Sequence, residues 1–285
     1  MIRNKISAGF TLVEMILVIV ITGIIAGMIA VFIKAPVEGY FSTVRRAMLT
    51  EEADSALRFV ARDLKSALPN SIVCTAGGGL QFLPTRSGGR FREAQTGSNT
   101  GSPLTFGTAT TGFDVIGAGA LSSTNDARGN SVSGLPSRLL IGNLSSGVAS
   151  CHSDYSAFGS NAATLSSLSA GSVNIGSYTY PVECSLASPT VQDDPGTAGV
   201  NEINNREFGR FYVVDSTHIA YACDTTVGLT RNGSAVIAAN HLSACQVACD
   251  STKARVQLVT FNLTLKDRDN EPVNMLRRVT IVNRP

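Results

Sequence analysis

The residues in this sequence that could do chemistry are better suited to holding a structure together than to turning over a substrate. The serines are many, but none sits in a Gly-x-Ser-x-Gly elbow that would expose a nucleophile. No catalytic residue is assigned and no cofactor is implied. His152 and His218 stand alone. His241, Cys245 and Cys249 are spaced by four. On a helix they would share a face, yet zinc needs a further ligand, so the expectation is no metal. The run Asp267 to Glu271 carries oxygen ligands of the kind calcium takes, but its plain reading is a solvated turn. Two features remain. One is Glu14, a carboxylate near the start of a long apolar run, where an ionisable group is costly unless it has a partner. The other is the set of six cysteines, Cys74, Cys151, Cys184, Cys223, Cys245 and Cys249. Their even number suits disulfides in an oxidising compartment. Cys223 ends a candidate strand and Cys245 precedes the last hairpin, so Cys223–Cys245 is the first choice of pair. Cys151–Cys184 would close the loop-rich middle, which leaves Cys74–Cys249.

The elements that position these groups begin with a basic leader containing Arg3 and Lys5. Between Met15 and Ile33 only Thr22 is polar and nothing is charged. About twenty helical residues cross a hydrocarbon core of roughly 30 Å. The positive-inside rule puts the leader in the cytoplasm and the remainder outside. A secretory signal peptide fits poorly, because the run is too long and no Ala-x-Ala site follows it. A generic anchor leaves Glu14 unexplained. Gly23 and Gly27 form a G-x-x-x-G pair that either is tolerated or lets helices approach closely.

After Lys34 and Pro36 the pattern becomes amphipathic. Val37, Tyr40, Phe41, Val44 and Met48 recur at helical spacing, and Leu49, Ala53, Leu57, Val60, Leu64 and Leu68 continue the stripe. Arg58, Arg62, Asp63 and Lys65 are among the charged residues on the other faces. This predicts a half-buried helix packed on a globular domain from Val37 and stopped by Pro69. Beyond it, short apolar pieces alternate with Gly-, Ser- and Thr-rich loops, and residues 145–195 read as loop-rich. Residues 210–214 and 219–222 read as one hairpin, and 256–265 with 273–282 as a second. The net charge of +2 and the 15% of charged residues leave no nucleic-acid footprint.

Gly9-Phe10-Thr11-Leu12-Val13-Glu14, between a basic leader and an apolar helix, resembles the prepilin peptidase site of type IV pilins and type II secretion pseudopilins. The resemblance implies cleavage after Gly9, N-methylation of Phe10, and pairing of Glu14 with the N-terminal amine of a neighbouring subunit. Gly9, lacking a side chain, lets a protease approach the backbone. The resemblance also implies partners: the prepilin peptidase, other minor and major pilins, and the inner-membrane assembly platform. Pro36-Val-Glu-Gly-Tyr-Phe41 and Tyr221-Ala-Cys-Asp224 most resemble the MshO family of minor pilins of the mannose-sensitive haemagglutinin (MSHA) pilus.

The expected fold is α+β and pilin-like: a long N-terminal helix on an antiparallel sheet with large loop insertions. The expected segments are a leader over 1–9, a transmembrane assembly helix over 10–35, its amphipathic continuation over 36–69, and a β-rich outer domain over 70–285. The expected role is structural, not enzymatic: a single-pass inner-membrane precursor with its outer domain in the periplasm, later carried to the pilus. A J-like minor pseudopilin of type II secretion and a pilus-associated adhesin are the alternatives.

Mass spectrometry of protein from cells should find a methylated Phe10 at the N-terminus. A chain still starting at Met1, or cut after the apolar run, would overturn the cleavage site. Gly9→Val should leave the precursor uncut in the membrane.

Overall fold

The computed structural model describes residues 10–75, 78–92, 101–116, 137–144, 151–168, 171–182, 184, 209–253, 256–267 and 271–282. The chain divides into two compact units, Met1–Glu51 and Glu52–Pro285, and the division falls inside one helix. That helix, α1, runs Leu12–Lys65 and carries Pro36 within it. Proline removes one backbone donor and crowds the preceding turn, but the helix continues past it.

In the first unit α1 is exposed. Leu12 to Ile33 present apolar side chains on every side, and Thr22 satisfies its hydroxyl on the Val18 carbonyl at 2.6 Å. The stripe at Val37, Tyr40, Phe41 and Met48, expected to be half-buried, is exposed as well. Burial starts later, at Leu49, and follows Ala53, Ala56, Leu57, Val60, Ala61 and Leu64. The apolar pattern therefore begins well before the stretch of helix that is buried.

Asp63 corrects a second expectation. Placed among the outward charges by residue type, it is 6% exposed. Its carboxylate accepts from the Tyr221 hydroxyl at 2.9 Å and from Arg231 Nε at 2.7 Å. The Arg231 guanidinium also lies over the Phe59 ring, 5.6 Å from its centroid. A buried carboxylate survives only with partners of this kind.

The helix ends at Lys65, four residues short of Pro69. Ser66 and Ala67 turn back in tighter bonds to Asp63 and Leu64. The Leu68 amide then donates to Leu83 and the Thr85 amide to Ser66. Bonding to residues 83 and 85 ends the helix before the proline does.

Among the described residues, the second unit contains three antiparallel sheets. The five-stranded sheet has the order β1-β2-β10-β11-β12, formed by Val73–Thr75, Gly79–Phe82, Ile219–Asp224, Gly228–Arg231 and Ser234–Ile237. The three-stranded sheet joins β13 (Leu242–Lys253), β14 (Val256–Lys266) and β15 (Pro272–Val282) in sequence. On β14 the burial alternates, with Val259, Phe261, Leu263 and Leu265 all buried, as a half-buried strand requires. The seven-stranded sheet has the order β6-β5-β9-β3-β4-β8-β7. Its strands are β3 (Thr85–Phe91), β4 (Ala109–Ile116), β5 (Ser137–Ile141), β6 (Ala162–Thr164), β7 (Ser167–Leu168), β8 (Ser172–Thr179) and β9 (Arg210–Asp215). Phe91, Phe113, Leu139, Tyr180, Phe211 and Val213 belong to its buried cluster.

The hairpin expected at 256–265 and 273–282 is the β14–β15 pair, in continuous register from Val256↔Val282 to Lys266↔Pro272. The hairpin expected at 210–222 does not form. β9 pairs with β3 and β5, β10 pairs with β2 and β11, and the two strands lie in different sheets. Both have two burying neighbours, so a local turn gives way to distant partners. The stretch expected to be loop-rich contains β6, β7 and β8.

Three disulfides tie this unit: Cys74–Cys249, Cys151–Cys184 and Cys223–Cys245, with Cα–Cα distances of 5.9, 5.4 and 5.3 Å. Each links segments far apart in sequence, which typically stabilises by roughly 2–4 kcal/mol. Gly142 sits at φ 59°, and a Cβ there would come within 2.7 Å of the Cys184 carbonyl, so the chain needs glycine beside that bond.

Asp63→Ala should lower the unfolding free energy by about 2–3 kcal/mol, because Tyr221 and Arg231 both lose a buried partner. Arg58→Ala, at the exposed Arg58–Asp54 pair, should change it by about 0.5 kcal/mol or less. Urea unfolding of the detergent-solubilised chain with its disulfides intact reads both. Burial, and then the Asp63 carboxylate, push the Tyr221 hydroxyl above its ordinary value of 10.0. Its stabilising contribution is therefore complete below that pH and is lost as the pH rises well beyond it.

Candidate functional site

The candidate site is the start of α1. Phe10 is exposed and precedes the helix, and Gly9, Arg3 and Lys5 lie outside the described residues. Thr11 stands at the N-cap. Its hydroxyl accepts from the Glu14 amide at 3.3 Å, and its carbonyl accepts from the Met15 amide at 3.2 Å. Thr-x-x-Glu is the capping-box pattern, in which the hydroxyl satisfies one orphan amide of the first turn. Glu14 also places negative charge at the positive end of the helix dipole. The sequence pattern alone did not assign Thr11 this role, although the Thr11–Glu14 spacing was the available signal.

Glu14 has no ion-pair partner among the described residues, and its neighbours Leu12, Val13, Met15 and Ile16 are exposed apolar side chains. The arrangement offers a carboxylate, held at a defined helix position, to a cation supplied from elsewhere.

The remaining sequence candidates are used structurally. Cys245 and Cys249 lie on strand β13, not on a helix, and enter separate disulfides. His241 contacts Glu52, with Nδ1 2.9 Å from Oε2. His152 Nδ1 lies 2.7 Å from the Leu144 carbonyl, and His218 meets the Tyr155 ring edge-on. Within the acidic turn, the Glu271 amide donates to Asp267 at 2.9 Å, while 268–270 lie outside the described residues. Among the described residues no cluster of His, Cys, Asp or Glu is arranged to hold a metal. The contact that sequence reasoning missed is Asp63 with Tyr221 and Arg231. Its signal was position, since residue 63 lies three after Val60 and seven after Ala56 on the buried face.

Residues 4–30 match the family model of the prokaryotic N-terminal methylation motif. The motif indicates a type IV pilin- or pseudopilin-like protein. No curated protein and no solved structure matches the chain. The matched segment contains Gly9, Phe10, Thr11 and Glu14 together with most of the apolar run, up to Ala30. In general such a motif implies contact with a prepilin peptidase and with other pilins, and α1 is long and apolar enough to cross a membrane. A single long apolar helix followed by antiparallel sheets is consistent with a pilin-like α+β fold.

Thr11→Ala should cost the first turn about 1 kcal/mol, the usual value of an N-cap hydroxyl. Hydrogen exchange at the Val13, Glu14 and Met15 amides in detergent micelles should then quicken several-fold. Amides near Thr22 should be unchanged.

Proposed function

We propose that this chain is a structural minor pilin of an MSHA-like type IV pilus, of the MshO kind, which helps to start assembly. In this reading the leader 1–9 is cut after Gly9 and Phe10 is methylated. Residues 10–35 hold the precursor in the inner membrane, 36–69 continue the helix, and 70–285 form the periplasmic domain that later reaches the pilus. The observation that carries it is the N-terminal motif with Glu14 set one turn into a capped apolar helix. The size of the outer domain supports a minor component over a repeating shaft subunit. The disulfide-tied sheets suit a protein that works outside the cytoplasm.

The chemical step is electrostatic pairing. Cleavage leaves a cationic amine at Phe10 in surroundings of low dielectric, where an unpaired charge is expensive. Glu14 of an adjacent subunit neutralises it, so registry between helices is set by the Phe10-to-Glu14 offset. No substrate is transformed.

Glu14→Ala should give a cleaved, membrane-embedded, normally folded subunit that co-purifies poorly with partner pilins. Glu14→Gln should recover only part of the association, because an amide accepts a hydrogen bond without neutralising the amine. Co-purification and surface-pilus counts measure both. Wild-type association by Glu14→Ala would overturn the pairing role. Co-purification with secretion pseudopilins in place of pilins would overturn the assignment to a pilus.

A further inference from the structure

Beyond the apolar span, α1 carries a stripe that the chain leaves open. Val37, Tyr40, Phe41 and Met48 are all exposed, Tyr40 at 67% and Phe41 at 54%. Spacings of three and four put them on one side of the helix. The Tyr40 and Phe41 rings meet edge to face with centroids 5.9 Å apart. We propose that Tyr40 and Phe41, backed by Val37, form an interfacial belt that seats α1 in the outer headgroup layer of the bilayer while the subunit resides in the membrane. The proposal rests on the reading of α1 as membrane-spanning.

Two neighbouring features set the depth. Pro36 has no amide proton, so the Phe32 carbonyl one turn earlier lacks its helical donor. Such a carbonyl is costly in hydrocarbon but is met by water at the edge. Lys34 brings a charge to the same level, with Glu38 3.8 Å away, and its stem can carry the ammonium outward. Phe32 to Pro36 therefore marks the hydrocarbon boundary.

From Phe32 to Tyr40 the helix rises about 12 Å. Helical side chains slant back toward the N-terminus and cover the preceding turn, about 5 Å nearer the membrane. The rings then lie about 7 Å past the boundary, within a headgroup layer about 5–8 Å deep. Tyrosine, with an apolar ring and a wet hydroxyl, is enriched at that depth.

The chain has no tryptophan, so Phe41→Trp gives a single fluorophore and keeps an aromatic ring in place. The full chain is reconstituted at high lipid-to-protein ratio in phosphatidylethanolamine–phosphatidylglycerol vesicles, with acyl chains brominated at a shallow or a deep position. Ile25→Trp, within the apolar span, and Val227→Trp, exposed in the second unit, are the references. Phe41→Trp should be quenched by shallow bromines several-fold more than Val227→Trp, and by deep bromines less than Ile25→Trp. The proposal is overturned if Phe41→Trp matches Val227→Trp, open to aqueous iodide and untouched by bromolipid, while Ile25→Trp is quenched. It is also overturned if protection from iodide appears only as protein density rises, since a second copy would then be the cover. Absence of quenching at Ile25→Trp would overturn the membrane-spanning reading itself.

Discussion

From Leu12 to Ile33 the helix shows apolar side chains on every side, and this surface cannot remain in water. Lipid or other apolar helices must cover it, and the nearby polar groups are arranged around that need. Thr22 turns its hydroxyl inward to the helix backbone. The only carboxylate, Glu14, sits at the helix end, where the dipole favours it and a cation can reach it.

The same helix meets a different demand in its last turns. From Ala53 to Leu64 one stripe is apolar and buried, and Asp63 lies on that stripe. A carboxylate there gains nothing from burial alone. It is held by a phenol from β10 and a guanidinium from β11, residues more than 150 positions later in the chain. Whether such a buried pair adds net stability over an apolar replacement depends on context, but its geometry is specific. Only one register of β10 and β11 brings Tyr221 and Arg231 together, where they face each other across the pair. The disulfides act on the same elements. Cys223 leaves β10 for Cys245 on β13, and Cys249 on β13 reaches Cys74 on β1, so the five- and three-stranded sheets are linked twice.

Much of the candidate site was legible in the chain because it is local. Gly9, Phe10 and Glu14 are read by spacing within a few residues, and an apolar run of membrane length is recognisable without any partner. The long helix, the antiparallel strands and the β14–β15 hairpin follow from periodicity and a short polar turn. Where reading failed, distant chain intervened. β9 and β10 alternate like a hairpin, yet each finds two other strands. Pro69 was the obvious helix stop, yet bonds from 66–68 to the β2–β3 segment ended the helix at Lys65. Asp63 has the residue type of a surface charge and the position of a core residue.

The sequence by itself determined the apolar helix, the basic residues ahead of it, the place of Glu14 relative to Phe10 and the presence of six cysteines outside the apolar run, since these depend on residue order and hydropathy alone. The tertiary structure decided which sheet each strand joins, where along α1 burial begins, which cysteines meet and what faces Asp63. These are long-range choices. They are set by packing and hydrogen bonding between segments up to 189 residues apart, and neither leaves a periodic trace in the local sequence.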